Sequence, residues 1–206
     1  MELKEIKKMY SDLTKNYDKR VKNRGKYTAY KKMSLLTIKE LKLKNAKILD
    51  LGCGTGLSSL EFFNKKYEVT GIDLTPEMIK EAKKLSFKKL ICQDLEIPLK
   101  VKDEEFDAAV ITGVMEFIKN PLSLFKEINK KLKHEGIFAI TIPKKFPKGS
   151  KAPYKNYYKK EIEPVFKKAG FKIIECKHFF GFKQLEGTRS IYYYGYLLKK
   201  VKSTSK

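Results

Sequence analysis

The run Asp50-Leu51-Gly52-Cys53-Gly54-Thr55-Gly56 places three glycines at alternate positions behind a carboxylate, directly after the largely apolar stretch AKIL. A glycine-rich turn between a strand and a helix brings backbone close to a ligand, which needs residues without a Cβ. The spacing Gly52-x-Gly54-x-Gly56 departs from the dinucleotide fingerprint G-x-G-x-x-G, because Leu57 stands where the third glycine belongs. Asp50 points the same way. A carboxylate at a strand end repels a pyrophosphate and suits a ligand with positive charge, such as an ammonium or sulfonium. Two more acids follow. Asp73 closes YEVTGID, about 20 residues beyond the glycines, where an acid accepts hydrogen bonds from ribose hydroxyls. Asp94 closes KKLICQD and suits an adenine amino group. Blander roles are a tight turn for the glycines, a helix cap for Asp73 and an ordinary turn for Asp94.

The elements that position these residues are written in the apolar pattern. Residues 2–22 carry Leu3, Ile6, Met9, Tyr10, Leu13, Tyr17 and Val21 at helical spacing, and Asn23-Arg24-Gly25 breaks the run. A second helix is predicted from about Lys26 to Leu41. AKILDL then reads as a buried parallel strand. Helices are predicted over Leu57–Lys65, from Thr75 (N-cap) and Pro76, from Pro121 to about Glu135-Gly136, and over Tyr158–Ala169, where Gly170 stops the last. They alternate with YEVTGID, KKLICQD, FDAAVITG and IFAITIP, and FKIIECKHFF and RSIYYYGYLL close the chain as strands. This predicts one α/β domain over 1–206: a doubly wound, mostly parallel seven-stranded sheet with an antiparallel C-terminal strand and an N-terminal helical cap over 1–42.

From about Tyr10 to Leu198 the sequence resembles the class I S-adenosylmethionine-dependent methyltransferases, which have a Rossmann-like fold. The run Asp50, Gly52, Gly54, Gly56 matches that family's first motif, with Cys53 inside it. GIDLTPEMIKEA resembles the second block, which gives Asp73 the ribose role and sets Leu74 beside adenine. CQDLEIPLKVKDEEFDAAVITGVMEFI resembles the next, in which Asp94 and Leu95 face adenine and Thr112-Gly113-Val114 pass beneath the methionine moiety. LFKEINKKLKHEGIFAITIP resembles the helix and strand ahead of a substrate loop, here Pro143–Lys160. MYSDLTKNYDKR resembles the N-terminal segment of quinone-biosynthesis and related small-molecule methyltransferases, which makes Tyr17 a lid over the cofactor; its alternative is a core-facing ring.

The resemblance implies S-adenosyl-L-methionine as cofactor and in-line attack of an acceptor nucleophile on the sulfonium methyl, with alignment supplying most of the acceleration. No catalytic side chain is obligatory in such a reaction. The candidate bases are Glu116, which follows the fourth strand, and His178, in a closing strand. The Asn/Asp-Pro-Pro-Tyr/Phe run of base amino methylation is missing after FDAAV, where the chain reads ITGVMEF.

The net charge of +22 allows an anionic small-molecule acceptor. The alternatives are RNA or tRNA methylation on a basic surface, or a cofactor-binding protein that has lost catalysis. Only Arg20, Arg24 and Arg189 of the 46 basic residues are arginine, so the excess reads first as a heat-adapted or AT-rich composition. Cysteines 53, 92 and 176 form no CxxC and the two histidines lie far apart, so reduced thiols, a cytoplasmic setting and no metal are expected. No apolar run approaches membrane-spanning length, and from the charged start Met1–Lys8 no secretory leader is expected.

Overall fold

The computed structural model describes residues 2–21, 27–144, 157–183 and 190–201. The breaker Asn23-Arg24-Gly25, the start of the second helix at Lys26, and residues 145–156 of the expected substrate loop, with Phe146 and Tyr154, lie outside them.

Seven strands form a single sheet: β1 (Lys47–Leu51), β2 (Glu68–Asp73), β3 (Lys89–Cys92), β4 (Phe106–Ile111), β5 (Leu132–Pro143), β6 (Phe171–Lys183) and β7 (Ser190–Lys200). Their spatial order is β3-β2-β1-β4-β5-β7-β6. The pairs β2–β3, β1–β2, β1–β4 and β4–β5 are parallel, and β7 runs antiparallel to both β5 and β6. This is the expected doubly wound sheet. The chain leaves β1 toward β2 on one side and reaches β4 on the other, so the strand order reverses at β1. A crevice opens at the carboxyl ends of the strands at such a point.

Helices cover both faces. On one, α6 (Pro121–Lys131) and α7 (Lys159–Lys168) bring Phe125, Ile128, Ile162 and Phe166 onto Leu49, Leu51, Ile111 and Phe138. On the other, α3 (Ala29–Leu41) and α4 (Leu60–Asn64) set Met33 and Phe62 against Ile48, Val69, Ala108 and Val110. Strand residues alternate between these two cores, so the strands read as almost unbroken apolar runs. Burying each large side chain contributes about 1.5–3 kcal/mol. α5 (Pro76–Ala82) packs on β2 and β3, and α1 (Leu3–Leu13) crosses α5.

Several expected boundaries shift. The N-terminal helix is not continuous to residue 22. The Thr14 hydroxyl donates to the Tyr10 carbonyl, residues Thr14–Asn16 tighten into a 3₁₀ turn, and a short α2 (Tyr17–Lys19) follows. The helix expected from Leu57 opens as a 3₁₀ turn over Leu57–Ser59. α6 stops at Lys131, four residues early, because Leu132 is already extended and pairs with Phe106; a bulge before Ile137 holds Glu135 at a φ of 60°. Thr75 occupies an N-cap position, but its side chain does not cap α5. Its backbone N–H donates to Asp73 Oδ1 at 2.8 Å.

Candidate active site

The turn after β1 hangs from β2. The N–H groups of Gly52 and Cys53 donate to the Ile72 carbonyl at 2.7 and 3.1 Å, and Gly54 N–H donates to Asp73 Oδ2 at 2.8 Å. Gly52 sits at a φ of 71°, and a Cβ there would stand 2.3 Å from Val114 Cγ2. Gly54 sits at a φ of 53°, and a Cβ there would meet no atom within 4 Å, because it would project into the cavity that the turn borders.

Asp50 does not reach that cavity. Its carboxylate lies beneath the turn, where the Ser58 and Ser59 hydroxyls both donate to Oδ2 at 2.6 Å. Oδ1 is buried without a hydrogen bond among the described residues. Burial pushes the carboxyl up to about 6, against the two serine hydrogen bonds. The sequence reading placed Asp50 on the ligand; the structure places it behind the turn, gripping the first residues after the glycines. Cys53 is buried beside it and does not line the cavity either. Gly56 likewise shapes the turn from outside the cavity wall.

The other acids do border the cavity. Asp73 spends one oxygen on Gly54 N–H and the other on Thr75 N–H, at 2.8 Å each, while burial raises its carboxyl. A carboxylate oxygen can accept more than one hydrogen bond, which leaves Asp73 capacity for a ligand hydroxyl. Leu74, Thr75 and Met78 continue this wall, and Asp94 and Leu95 form the next. Asp94 Oδ1 accepts from Glu96 N–H at 3.0 Å, and Glu96 Oε1 accepts from the N–H groups of Lys119 and Asn120 at 2.6 and 2.8 Å. The loop after β3 is thereby tied to the loop after β4. From the latter, Thr112, Gly113 and Val114 complete the floor, with Gly113 N–H held by Thr141 Oγ1 at 3.0 Å.

The remaining wall comes from the N-terminal segment. Tyr17 lies on it with Tyr10, Leu3 and Ile6, and Phe117 meets them from the β4 side. Tyr10 contacts Tyr17 at 6.2 Å between ring centres and Phe117 edge-on at 5.8 Å. Thr55 Oγ1 donates to Asp18 Oδ1 at 2.6 Å, a direct tie between this cover and the glycine turn. Only Tyr17 of these was singled out from sequence; Tyr10 sits in the same aromatic helical stripe, which is the signal that was available.

The two candidate bases separate. Glu116 is buried in a 3₁₀ turn (Met115–Phe117) after β4, 6% exposed. The Tyr193 hydroxyl donates to its Oε1 at 3.4 Å, and Oε2 is buried without a hydrogen bond among the described residues. Burial lifts this carboxyl to about 7, with the Tyr193 hydrogen bond pulling the other way. His178 is exposed on the outer strand β6, stacked on Tyr192 at 5.4 Å and near Tyr194 at 5.5 Å, and contributes nothing to the cavity wall. Its strand is the sheet's far edge, three positions from β4. Among the described residues no cluster of His, Cys, Asp and Glu forms a metal site, and no helix is long and apolar enough to cross a membrane.

Residues 49–140 match the family model described as a methyltransferase domain. An uncharacterized protein of Methanocaldococcus jannaschii is 31% identical over 193 residues, 88% of this chain and 72% of that one. A ubiquinone biosynthesis O-methyltransferase of Xanthomonas campestris pv. campestris is 30% identical over 111 residues, 51% of this chain and 46% of that enzyme. Among solved structures, the 1,6-didemethyltoxoflavin-N1-methyltransferase of Burkholderia thailandensis, with S-adenosylhomocysteine bound, superposes with a TM-score of 0.69 at 18% identity, covering 94% of this chain and 88% of that one.

Proposed function

The chain belongs to the class I S-adenosylmethionine-dependent methyltransferases, and from that premise we propose that it methylates a small-molecule acceptor by in-line displacement. The observation that carries this reading is one cavity at the carboxyl edge of the sheet. It is bordered together by Gly52 and Gly54, Asp73, Asp94 and the Thr112–Val114 floor, and covered by Tyr17 and Tyr10. Asp73 offers its remaining lone pairs to ribose hydroxyls, and Asp94 and Leu95 flank the adenine. Gly54 leaves open the space a side chain would fill. Asp50 acts through the turn, and its charge beneath the loop favours a cationic ligand.

Bound there, S-adenosylmethionine supplies an electrophilic methyl group on a sulfonium. The chain's own part is to fix that group and its acceptor on one line and to keep water out. The N-terminal cover, pinned to the glycine turn through Asp18 and Thr55, performs the exclusion.

A small acceptor is favoured over RNA by the placement of charge. A concave surface with five lysines, Lys47, Lys88, Lys89, Lys100 and Lys102, against two acids, Glu68 and Glu105, lies at the amino ends of β1 to β4, the opposite edge of the sheet from the cavity. A polyanion held there is not delivered to the cavity. The similarity to the ubiquinone biosynthesis O-methyltransferase and to the 1,6-didemethyltoxoflavin-N1-methyltransferase supports the same class.

Calorimetry with S-adenosylmethionine, S-adenosylhomocysteine and NAD tests the cofactor site. Binding of the first two and not the third is expected; binding of NAD alone overturns the reading. Salt-sensitive RNA binding that directs methyl transfer to RNA would replace the small-molecule acceptor.

A further inference from the structure

Beside the cofactor cavity lies a buried carboxylate, Glu116, to which the binding of the cofactor gives no role. Glu116 accepts a hydrogen bond from Tyr193 of β7, and its charge reaches Tyr27, just ahead of α3, and Tyr17 of α2. The Tyr27 and Tyr193 rings lie 5.9 Å apart. The Tyr27 hydroxyl is buried in the same group.

This box and the cavity meet at Gly113 and Tyr17. Gly113 lines the cavity, and a Cβ on it would stand 3.0 Å from the Tyr27 hydroxyl. Tyr17 lines the cavity and feels the charges of both Asp73 and Glu116. A buried carboxylate with one oxygen lacking a partner is costly to keep unless something else supplies the missing hydrogen bond. Among the described residues nothing supplies it for Oε2.

We propose that this box is the acceptor end of the active site, where Glu116 receives the proton of an uncharged aromatic acceptor bearing an O–H or N–H. The inference rests on the methyltransferase reading above. The acceptor oxygen or nitrogen forms a bond to the methyl carbon, the carbon–sulfur bond breaks with its electron pair left on sulfur, and the acceptor proton passes to Oε2. The carboxylic acid then returns the proton to solvent. The ring walls suit a flat acceptor. An anionic group at this end would face the Glu116 carboxylate at short range in a low-dielectric pocket, so acceptors charged at the reacting end are excluded.

Two measurements test this without knowing the natural acceptor. In the first, calorimetry in buffers of different ionisation enthalpy counts the protons released on binding. S-adenosylmethionine places a positive charge beside Glu116 and S-adenosylhomocysteine does not. Near pH 7 the cationic ligand should therefore release up to about half a proton more than the neutral one. That excess should vanish in Glu116→Gln, whereas Asp50 and Asp73 respond alike in both proteins. Tyr193→Phe keeps the carboxylate but removes its donor, so the pH midpoint of the excess should move upward, which serves if the Gln variant does not fold. In the second, phenol, aniline, anisole and benzoate are titrated by NMR into protein loaded with S-adenosylhomocysteine. Phenol and aniline should bind about tenfold tighter than anisole and benzoate, the loss expected for an unmade hydrogen bond to a charged group. If both cofactor forms bind but release equal protons, or if anisole binds as well as phenol, the role of Glu116 is overturned and the cofactor site stands. If neither cofactor form binds, the methyltransferase reading itself is lost.

Discussion

Replacing Asp50 by Asn should make the protein more stable at neutral pH, although Asp50 begins the most distinctive run in the chain. Its carboxyl is 1% exposed, and burial raises it from 3.8 to about 6. Unfolding restores the ordinary value, so between pH 4 and 6 the native state binds the proton more tightly than the unfolded chain. The contribution of Asp50 to stability is whole below pH 4 and is lost as pH rises through 6. A shift of this size corresponds to about 3 kcal/mol at pH 8, as an upper bound. Asn resembles the protonated carboxyl: its oxygen accepts the Ser58 and Ser59 hydroxyls, and its amide replaces the oxygen that has no partner. Asp50→Asn should match the wild type near pH 4 and exceed it by about 2–3 kcal/mol at pH 8, or ~5–10 °C in Tm for a domain of this size. Chemical denaturation at pH 4 to 8 measures this. Asp73 and Glu116 also titrate upward in both proteins, so the difference curve reports Asp50 together with its coulombic coupling to Asp73. The cost should appear in binding: the variant loses affinity for S-adenosylmethionine more than for its neutral thioether product. Parallel stability curves from pH 4 to 8, or a variant less stable at pH 8, would refute the reasoning.

Gly52→Ala combines a φ of 71° with a methyl 2.3 Å from Val114 Cγ2; a loss of about 2–4 kcal/mol is expected in denaturant titrations. Adding Val114→Ala should return only the part owed to the clash. Asp73→Asn leaves a single oxygen to accept the two N–H donors of Gly54 and Thr75, so affinity for S-adenosylhomocysteine should fall about 10–100-fold by calorimetry. His178→Ala should leave cofactor affinity and methyl transfer unchanged within about twofold, since the side chain is exposed on the outer strand and surface changes of this kind act weakly; a tenfold loss of kcat would return it to the site.

The sheet was legible because buried parallel strands leave unbroken apolar runs, and the turn was legible because positive φ at Gly52, Gly54 and Gly56 restricts the residue type. Asp73 and Asp94 followed from their positions at strand ends. Other features carry no local signature. Leu132 continues the helical spacing of Phe125 and Ile128, yet it begins β5 because Phe106 on β4 pairs with it. The Asp18–Thr55 bond joins residues 37 positions apart, and neither side chain belongs to a periodic pattern. Strand patterning gives His178 a face but not its place at the edge of the sheet. The burial of Asp50 needed Ser58 and Ser59, which look from sequence like ordinary polar residues opening a helix.

Charge sets a conflict that salt can resolve. The chain carries a net +22, so a ligand with net positive charge is repelled at long range, while the buried Asp50 and Asp73 favour it once it arrives. Far-field repulsion acts through solvent and is screened, with a Debye length of about 10 Å at 0.1 M salt. The buried acids act at short range through protein and are screened much less. Raising salt from 10 to 200 mM should therefore speed association of S-adenosylmethionine and leave its dissociation rate nearly unchanged. S-adenosylhomocysteine, which has no net charge, should show neither effect. Stopped-flow fluorescence in the two ligands separates the terms. If salt slows association of the cation instead, the acids dominate the approach as well as the bound state, and the lysines are too far from the cavity mouth to matter.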